Sequence, residues 1–238
     1  MSGSFLLLQV RDETDPMREH EVECFRSGLG LDETQPETFD LLGSELPQSL
    51  IDDSAMVLLG GSGKYSAVGE GEWLDRALSS LRLVHRSKTP TFASCWGFQA
   101  LARAMGGTVE HLPHLAEVGT YQVETTDEGC CDPLFSSCGT QFAAQLGHED
   151  FVTKLPTNTT LLARTERSFQ AFRFNDRPIY CTQFHPELTK ADMDMRLAAY
   201  PEYAELATKV SFEHTTPGFK ETPIAANLLK RFVTLFVK

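Results

Sequence analysis

Short apolar runs, each giving way to a stretch with helical spacing, set the strongest limit on how this chain can fold. The run Phe5-Leu6-Leu7-Leu8-Gln9-Val10 reads as a first strand. Asp15-Pro16 follows, a helix start with a capping carboxylate and a proline at the first turn, and the helix is predicted to run to about Gly28. A short strand is predicted near 38–42 and an apolar strand over 55–59. The helix expected over 71–86 carries Trp73, Leu74, Ala77, Leu78 and Leu81 on one face. Then Pro90-Thr91-Phe92-Ala93-Ser94 breaks at Cys95 into the helix-like run from Trp96 to Met105. This alternation implies an α/β fold of the flavodoxin-like three-layer kind. Its central sheet is mostly parallel and flanked by helices, and such folds place their sites at the carboxyl ends of strands.

The second half changes character. Strand-like runs at 119–125, 141–146, 160–164 and 169–174 follow one another closely, which predicts an antiparallel strand extension arranged like a meander. Residues 178–184 read as one more buried strand, and 193–210 as a helical stretch before the polar break Thr215-Thr216-Pro217-Gly218. A closing helix over 223–237 is expected to pack Ile224, Leu228, Leu229, Phe232 and Leu235. No internal repeat or low-complexity linker interrupts the chain, so residues 1–238 are read as a single domain.

Cys95 stands where a strand turns sharply into a helix. A side chain there is pushed above the sheet edge, and the first backbone N–H groups of the helix favour negative charge on it. Cysteine gains most from this position, because the thiolate is its reactive form. About 90 residues downstream, the strand at 178–184 ends in His185-Pro186-Glu187. An imidazole at a strand end, with a carboxylate two residues on to hold its tautomer, supplies the base and orienting group of a Cys-His-Glu triad. Alone, a cysteine after a strand is usually core and a His-Pro-Glu is usually a turn. Together, in this order and both at strand ends, they point to nucleophilic catalysis.

These segments resemble the class I glutamine amidotransferase family, whose nucleophile motif is Gly-x-Cys-x-Gly-x-Gln and whose distal motif is His-Pro-Glu. Here the first reads Ser94-Cys95-Trp96-Gly97-Phe98-Gln99, with Ser94 standing in for the glycine near the nucleophile. Met56-Val57-Leu58-Leu59-Gly60-Gly61-Ser62-Gly63 resembles the family's glycine-rich oxyanion loop after a central strand. The pattern is closest to the glutaminase part of GMP synthase. The resemblance implies that the Cys95 thiolate attacks the side-chain amide of glutamine, that the N–H groups of Gly61 and Trp96 meet the oxyanion, and that His185, oriented by Glu187, carries the protons. It also implies that Gly60 and Gln99 help shape the glutamine pocket, with Lys64 and Tyr65 at its border. Gly147-His148-Glu149-Asp150 resembles a His-x-Asp stretch of the family's rim, where His148 is expected to support rather than act as a second base.

A chain of 238 residues with 41% hydrophobic residues can bury a sizeable core. Its 33 acidic against 21 basic residues, a net charge of −12, argue against a nucleic-acid or anionic-membrane surface. No run approaches the roughly 20 apolar residues that span a bilayer, and the first strand has no basic leader or cleavage pattern. The cysteines at 24, 95, 130, 131, 138 and 181 are therefore expected as reduced thiols of a cytoplasmic protein. His111, His114, Cys130, Cys131 and Cys138 match no common zinc spacing, so no metal and no cofactor are expected.

There is no phosphate-binding Gly-x-x-x-x-Gly-Lys-Ser/Thr loop, so the expected activity is glutamine hydrolysis with ammonia released to a separate synthase subunit. The same triad could instead serve a γ-glutamyl peptide hydrolase, since the thioester step reads only the γ-glutamyl half. A binding module that kept the fold without the chemistry is a third reading.

Overall fold

The computed structural model describes residues 4–200 and 219–237. Its first elements are β1 (Ser4–Val10), α1 (Met17–Leu29), β2 (Glu37–Asp40), α2 (Gln48–Asp52), β3 (Ser54–Ser62), α3 (Glu72–Ser87), β4 (Thr91–Ser94) and α4 (Trp96–Ala104). The next are β5 (Thr108–His111), β6 (Glu117–Thr125), α5 (Asp127–Cys131), β7 (Gln141–His148), β8 (Asp150–Lys154), β9 (Thr159–Arg164), β10 (Phe169–Phe174) and β11 (Ile179–Thr182). They are followed by α6 (Lys190–Ala199) and α7 (Pro223–Phe236).

One sheet of nine strands runs in the order β2-β1-β3-β4-β11-β10-β9-β6-β7. The pairs along β2-β1-β3-β4-β11 are parallel, and the rest are antiparallel. This is the expected α/β architecture with its antiparallel extension. The extension is not a plain meander, because β8 leaves the sheet to pair with β5 in a separate two-stranded ribbon. Sequence reading missed this ribbon for a physical reason: β5 is largely exposed and holds only Val109 as an apolar residue, so it has no hydrophobic period to detect.

The uniformly apolar strands are explained by burial on both faces. Along β1, Leu6, Leu8 and Val10 join the core under α3 and α4, while Phe5 and Leu7 face the core under α1 and α7. Each fully buried Leu or Phe contributes roughly 1.5–3 kcal/mol. On the α7 side, Phe232 stacks edge-on against Phe92 at 5.4 Å.

Two expectations need correction here. The buried face of α7 is Ala225, Leu228, Leu229 and Phe232, at i, i+3, i+4 and i+7, whereas Ile224 and Leu235 are 45% and 44% exposed. The predicted face was drawn about one residue too wide on each side. The helix expected over 193–210 starts earlier, at Lys190, because Thr189 and Asp192 form a capping box. The expected continuation beyond residue 200, and the break at 215–218, lie outside the described residues. Among the described residues no helix is long and apolar enough to cross a membrane.

Candidate active site

Cys95 forms the one-residue turn between β4 and α4, with φ 51° and ψ −106°. That is a left-handed backbone held by a residue with a Cβ, a strain of order 1–3 kcal/mol that its surroundings must enforce. They do so from both sides. The Cys95 N–H donates to Thr182 O at 2.8 Å, extending the parallel register of Ser94 with Thr182, and the Gln99 N–H donates to Cys95 O at 3.2 Å. Gly97 is required by close packing: a Cβ there would lie 2.5 Å from Leu59 Cβ and 3.2 Å from Ala93 Cβ. The first turn of α4 thus sits directly on β3 and β4. Counted back from Cys95, the first glycine of the family motif falls on Ala93, not Ser94, and that position is fully buried.

β11 lies beside β4 and ends at Thr182, so the residues after it arrive next to Cys95. The His185 N–H donates to Gln145 O at 2.9 Å. Its ring Nδ1 lies 2.6 Å from Glu187 Oε1, and both side chains are buried. Burial alone would lower the pKa of His185, but the Glu187 carboxylate and the neighbouring Cys95 side chain outweigh it and raise the imidazole to about 9. For Glu187 burial works the other way, and His185 with the more distant Arg196 holds the carboxyl below its usual range. Cys95 and His185 line one cavity of about 40 Å³, together with Ser62, Val118, Gly147 and Arg196. On the other side of Cys95 a larger cavity of about 170 Å³ is bordered by Tyr65, Trp96, Gln99, His148 and Asp150.

The Gly60-Gly61-Ser62 segment is the end of β3 rather than a loop beyond it, with Ser62 in register with Val10 across an irregularity. Gly61 lies beside the imidazole, since a Cβ there would be 3.1 Å from His185 Cε1. Gly60 lines neither cavity. A Cβ at Gly60 would lie 2.2 Å from Glu21 Oε1, so this glycine lets β3 rest on a buried carboxylate. Glu21 is in turn held by Arg11 Nε at 3.2 Å and Gln9 Nε2 at 3.0 Å, and Arg11 Nη1 donates to Asp15 Oδ2 at 3.1 Å. Arg11 and Glu21 are fully buried. Burial acts to lower the Arg11 pKa, yet Glu21 and its other partners raise it. Sequence reading passed over this pair, although Arg11 follows directly on a strand's carboxyl end, where it could have been suspected.

Gln99 is buried and borders the larger cavity, but its Nε2 donates to Asp150 O at 3.0 Å and Gln183 Oε1 at 3.2 Å. It is therefore neither a surface residue nor a free amide. It braces α4 against the wall carrying Asp150. Lys64 and Tyr65 both border this cavity, as expected, and Tyr65, Trp73 and Trp96 pack in a row beneath it at 5.0 and 6.5 Å. His148 is committed on both ring nitrogens, to Asp150 O at 3.1 Å and Glu117 Oε2 at 3.0 Å, which fits a supporting role. The carboxylate of Asp150 meets Ser66 Oγ at 2.6 Å and His111 Nδ1 at 2.8 Å.

One group of described residues has a metal-like donor set. In His20, Cys24 and Asp192 the ligand atoms lie within 4.8 Å of one another. Cys24 Sγ is 3.7 and 3.6 Å from the two ring nitrogens of His20, on the lone-pair axis of neither. One Asp192 oxygen pairs with His20 and the other caps α6 through Thr189. As arranged, these contacts form a hydrogen-bonded tie between α1 and α6.

A strained cysteine at the end of one parallel strand, facing a buried His-Glu pair from the next, defines an α/β protein with a candidate cysteine nucleophile. The model of the family "Glutamine amidotransferase class-I" matches residues 32–200. The chain belongs to this family. It is 31% identical over 125 residues to the glutamine-hydrolyzing GMP synthase subunit of Methanothermobacter thermautotrophicus, covering 51% of this chain and 63% of that protein. It is 30% identical over 149 residues to the corresponding GMP synthase subunit of Sulfurisphaera tokodaii, covering 62% of this chain and 75% of that one. The glutamine-hydrolyzing GMP synthase of Thermosipho africanus matches at 37% identity over 42% of this chain, which spans only 19% of that protein. In fold, the chain is similar to a glutamine amidotransferase from Thermotoga maritima, with TM-score 0.72 at 20% identity over 100% of this chain and 99% of that one.

Proposed function

We propose that the chain hydrolyses the side-chain amide of glutamine through Cys95, His185 and Glu187 and releases ammonia to a separate synthase subunit. The observation that carries this reading is the meeting of the strained Cys95 turn with the buried His185–Glu187 pair at the ends of neighbouring parallel strands. The match to GMP synthase proteins in which glutamine hydrolysis sits on its own subunit supports the partner, and the chain is read as acting in the cytoplasm.

In this mechanism the sulfur of Cys95 bonds to the amide carbon and the carbonyl oxygen takes the negative charge. The N–H groups of Gly61 and Trp96 meet that oxyanion, and the loss of one such donor costs about 3 kcal/mol. The carbon–nitrogen bond then breaks, and protonated His185 gives its proton to the departing nitrogen. Water next adds to the γ-glutamyl thioester, giving a proton to His185, and the carbon–sulfur bond breaks to yield glutamate and the free thiol. Glu187 holds the imidazole at 2.6 Å through both halves. In the larger cavity the Asp150 carboxylate offers a site for the substrate ammonium, while Gln99 holds the Asp150 backbone.

Glutamate release from glutamine, with and without Cys95→Ala, tests the reading. A covalent adduct at Cys95 with a glutamine-like electrophile separates an enzyme from a binding module. The γ-glutamyl peptide reading is favoured by one specific feature, Arg196.

A further inference from the structure

The two cavities beside Cys95 differ in what borders them. The larger one holds Trp96, Gln99 and Asp150, while the smaller one holds His185, the proton donor to the leaving nitrogen. By the chemistry of the step the leaving group departs on the side of its acid, so the smaller cavity is the leaving-group side. Three of its residues, Val118, Met193 and Leu197, are apolar, and its one cationic side chain besides His185 is Arg196.

Arg196 lies in the last turn of α6, whose start is fixed by the Thr189–Asp192 cap just after Glu187. Its Nε and Nη2 atoms are shielded from solvent and have no hydrogen-bond partner. These two donors form one edge of the guanidinium, the edge that takes both oxygens of a carboxylate. Leaving such donors buried and unpaired is costly, so the site is incomplete as it stands. Glu187 does not complete it, because Glu187 Oε2 is itself buried without a hydrogen-bond partner. Nor does Tyr200, whose hydroxyl donates to Asp15 Oδ1 at 2.7 Å and accepts from Arg11 Nη1 at 2.9 Å. Ammonia, the leaving group from glutamine, has no atom that could accept from Arg196.

We infer that the chain cleaves γ-glutamyl amino acids, with Nε and Nη2 of Arg196 holding the carboxylate of the departing amino acid. The inference rests on the γ-glutamyl thioester reading above and changes only the amine that leaves. The cavity of about 40 Å³ has room for on the order of three waters, so a compact leaving amino acid such as glycine fits best. The balance is unchanged: one water is consumed, the carbon–nitrogen bond is replaced by carbon–oxygen, and glutamate and the amino acid are the products.

The test compares kcat/KM for γ-glutamyl-glycine and γ-glutamyl-glycinamide, which differ only in the leaving carboxylate. The wild type is expected to prefer the acid by about tenfold to a hundredfold. In Arg196→Gln the ratio should fall toward one, mainly through KM for the acid, and Arg196→Lys should restore part of it. A wild-type ratio near one overturns the inference. So does an unchanged ratio in Arg196→Gln with both substrates slowed alike, which would make Arg196 a positioning residue for Glu187. If Arg196→Gln fails to fold, the wild-type ratio and the lysine variant decide. Cys95-dependent release from glutamine with neither peptide cleaved rejects this inference and leaves the parent reading standing. No Cys95-dependent release from any of the three rejects the parent reading itself.

Discussion

The parallel and antiparallel halves of the nine-stranded sheet both bury charge, but they complete it differently. In the antiparallel half the Glu117 carboxylate is fully engaged: Oε1 accepts from Thr165 at 2.8 Å, and Oε2 meets His148, Ser168 and Gln170 at 3.0, 2.6 and 3.1 Å. These donors hold its pKa down against a burial that would raise it. In the parallel half, around Cys95, one oxygen of Glu187 and two nitrogens of Arg196 stay without partners. A saturated network makes a rigid wall, whereas an unsaturated one beside a nucleophile leaves bonds for a substrate to make.

The comparison breaks most sharply at Cys95. Cys95→Ala is expected to lower kcat/KM by roughly 10⁴-fold or more while leaving thermal unfolding near that of the wild type. Steady-state glutamate release beside a melting curve checks this, and substantial residual turnover would remove the thiol from the mechanism. Within the same half, His185→Ala should cost at least about tenfold more rate than Glu187→Gln, because proton transfer is worth more than orientation. Equal losses would count against these roles.

The wall should answer in stability instead. Glu117→Ala strands His148 and the donors of Thr165, Ser168 and Gln170, and is expected to cost about 3–5 kcal/mol in urea unfolding. A loss below about 1 kcal/mol would mean that this network is not the closed unit described.

The smallest effect is a pH slope. His185 is raised from 6.5 to about 9, so between those values the folded chain keeps a proton that the unfolded chain has lost. Stability is then fully present below pH 6.5 and declines as pH rises through about 9, by at most about 1.4 kcal/mol per pH unit. Urea midpoints against pH should show this decline in the wild type and a flatter profile in His185→Gln. Parallel profiles would place the proton elsewhere.

Much of the site was legible because its parts are local. Cys95 at a strand-to-helix junction and His185-Pro186-Glu187 after an apolar run are each visible within about ten residues of chain. What escaped was made by distant pairing. Asp150 borders the site because β8 folds away onto β5, whose sequence carries no strand period. Gly60 looked like part of a substrate loop, but its small size serves Glu21 on α1. Arg196 lies on a helix with no motif, and its meaning comes only from the cavity it borders.

The sequence by itself determined the order of strands and helices, the double-sided burial of the parallel strands, and which residues stand at strand ends. These follow from side-chain period and backbone preference, which act over a few residues. Tertiary structure alone decided that β11 lies beside β4, so that residues some 90 positions apart share one cavity. It also decided which buried polar groups are satisfied and which are left open. Pairing and satisfaction depend on distances that chain position does not carry: a hydrogen bond is made or lost within about half an ångström.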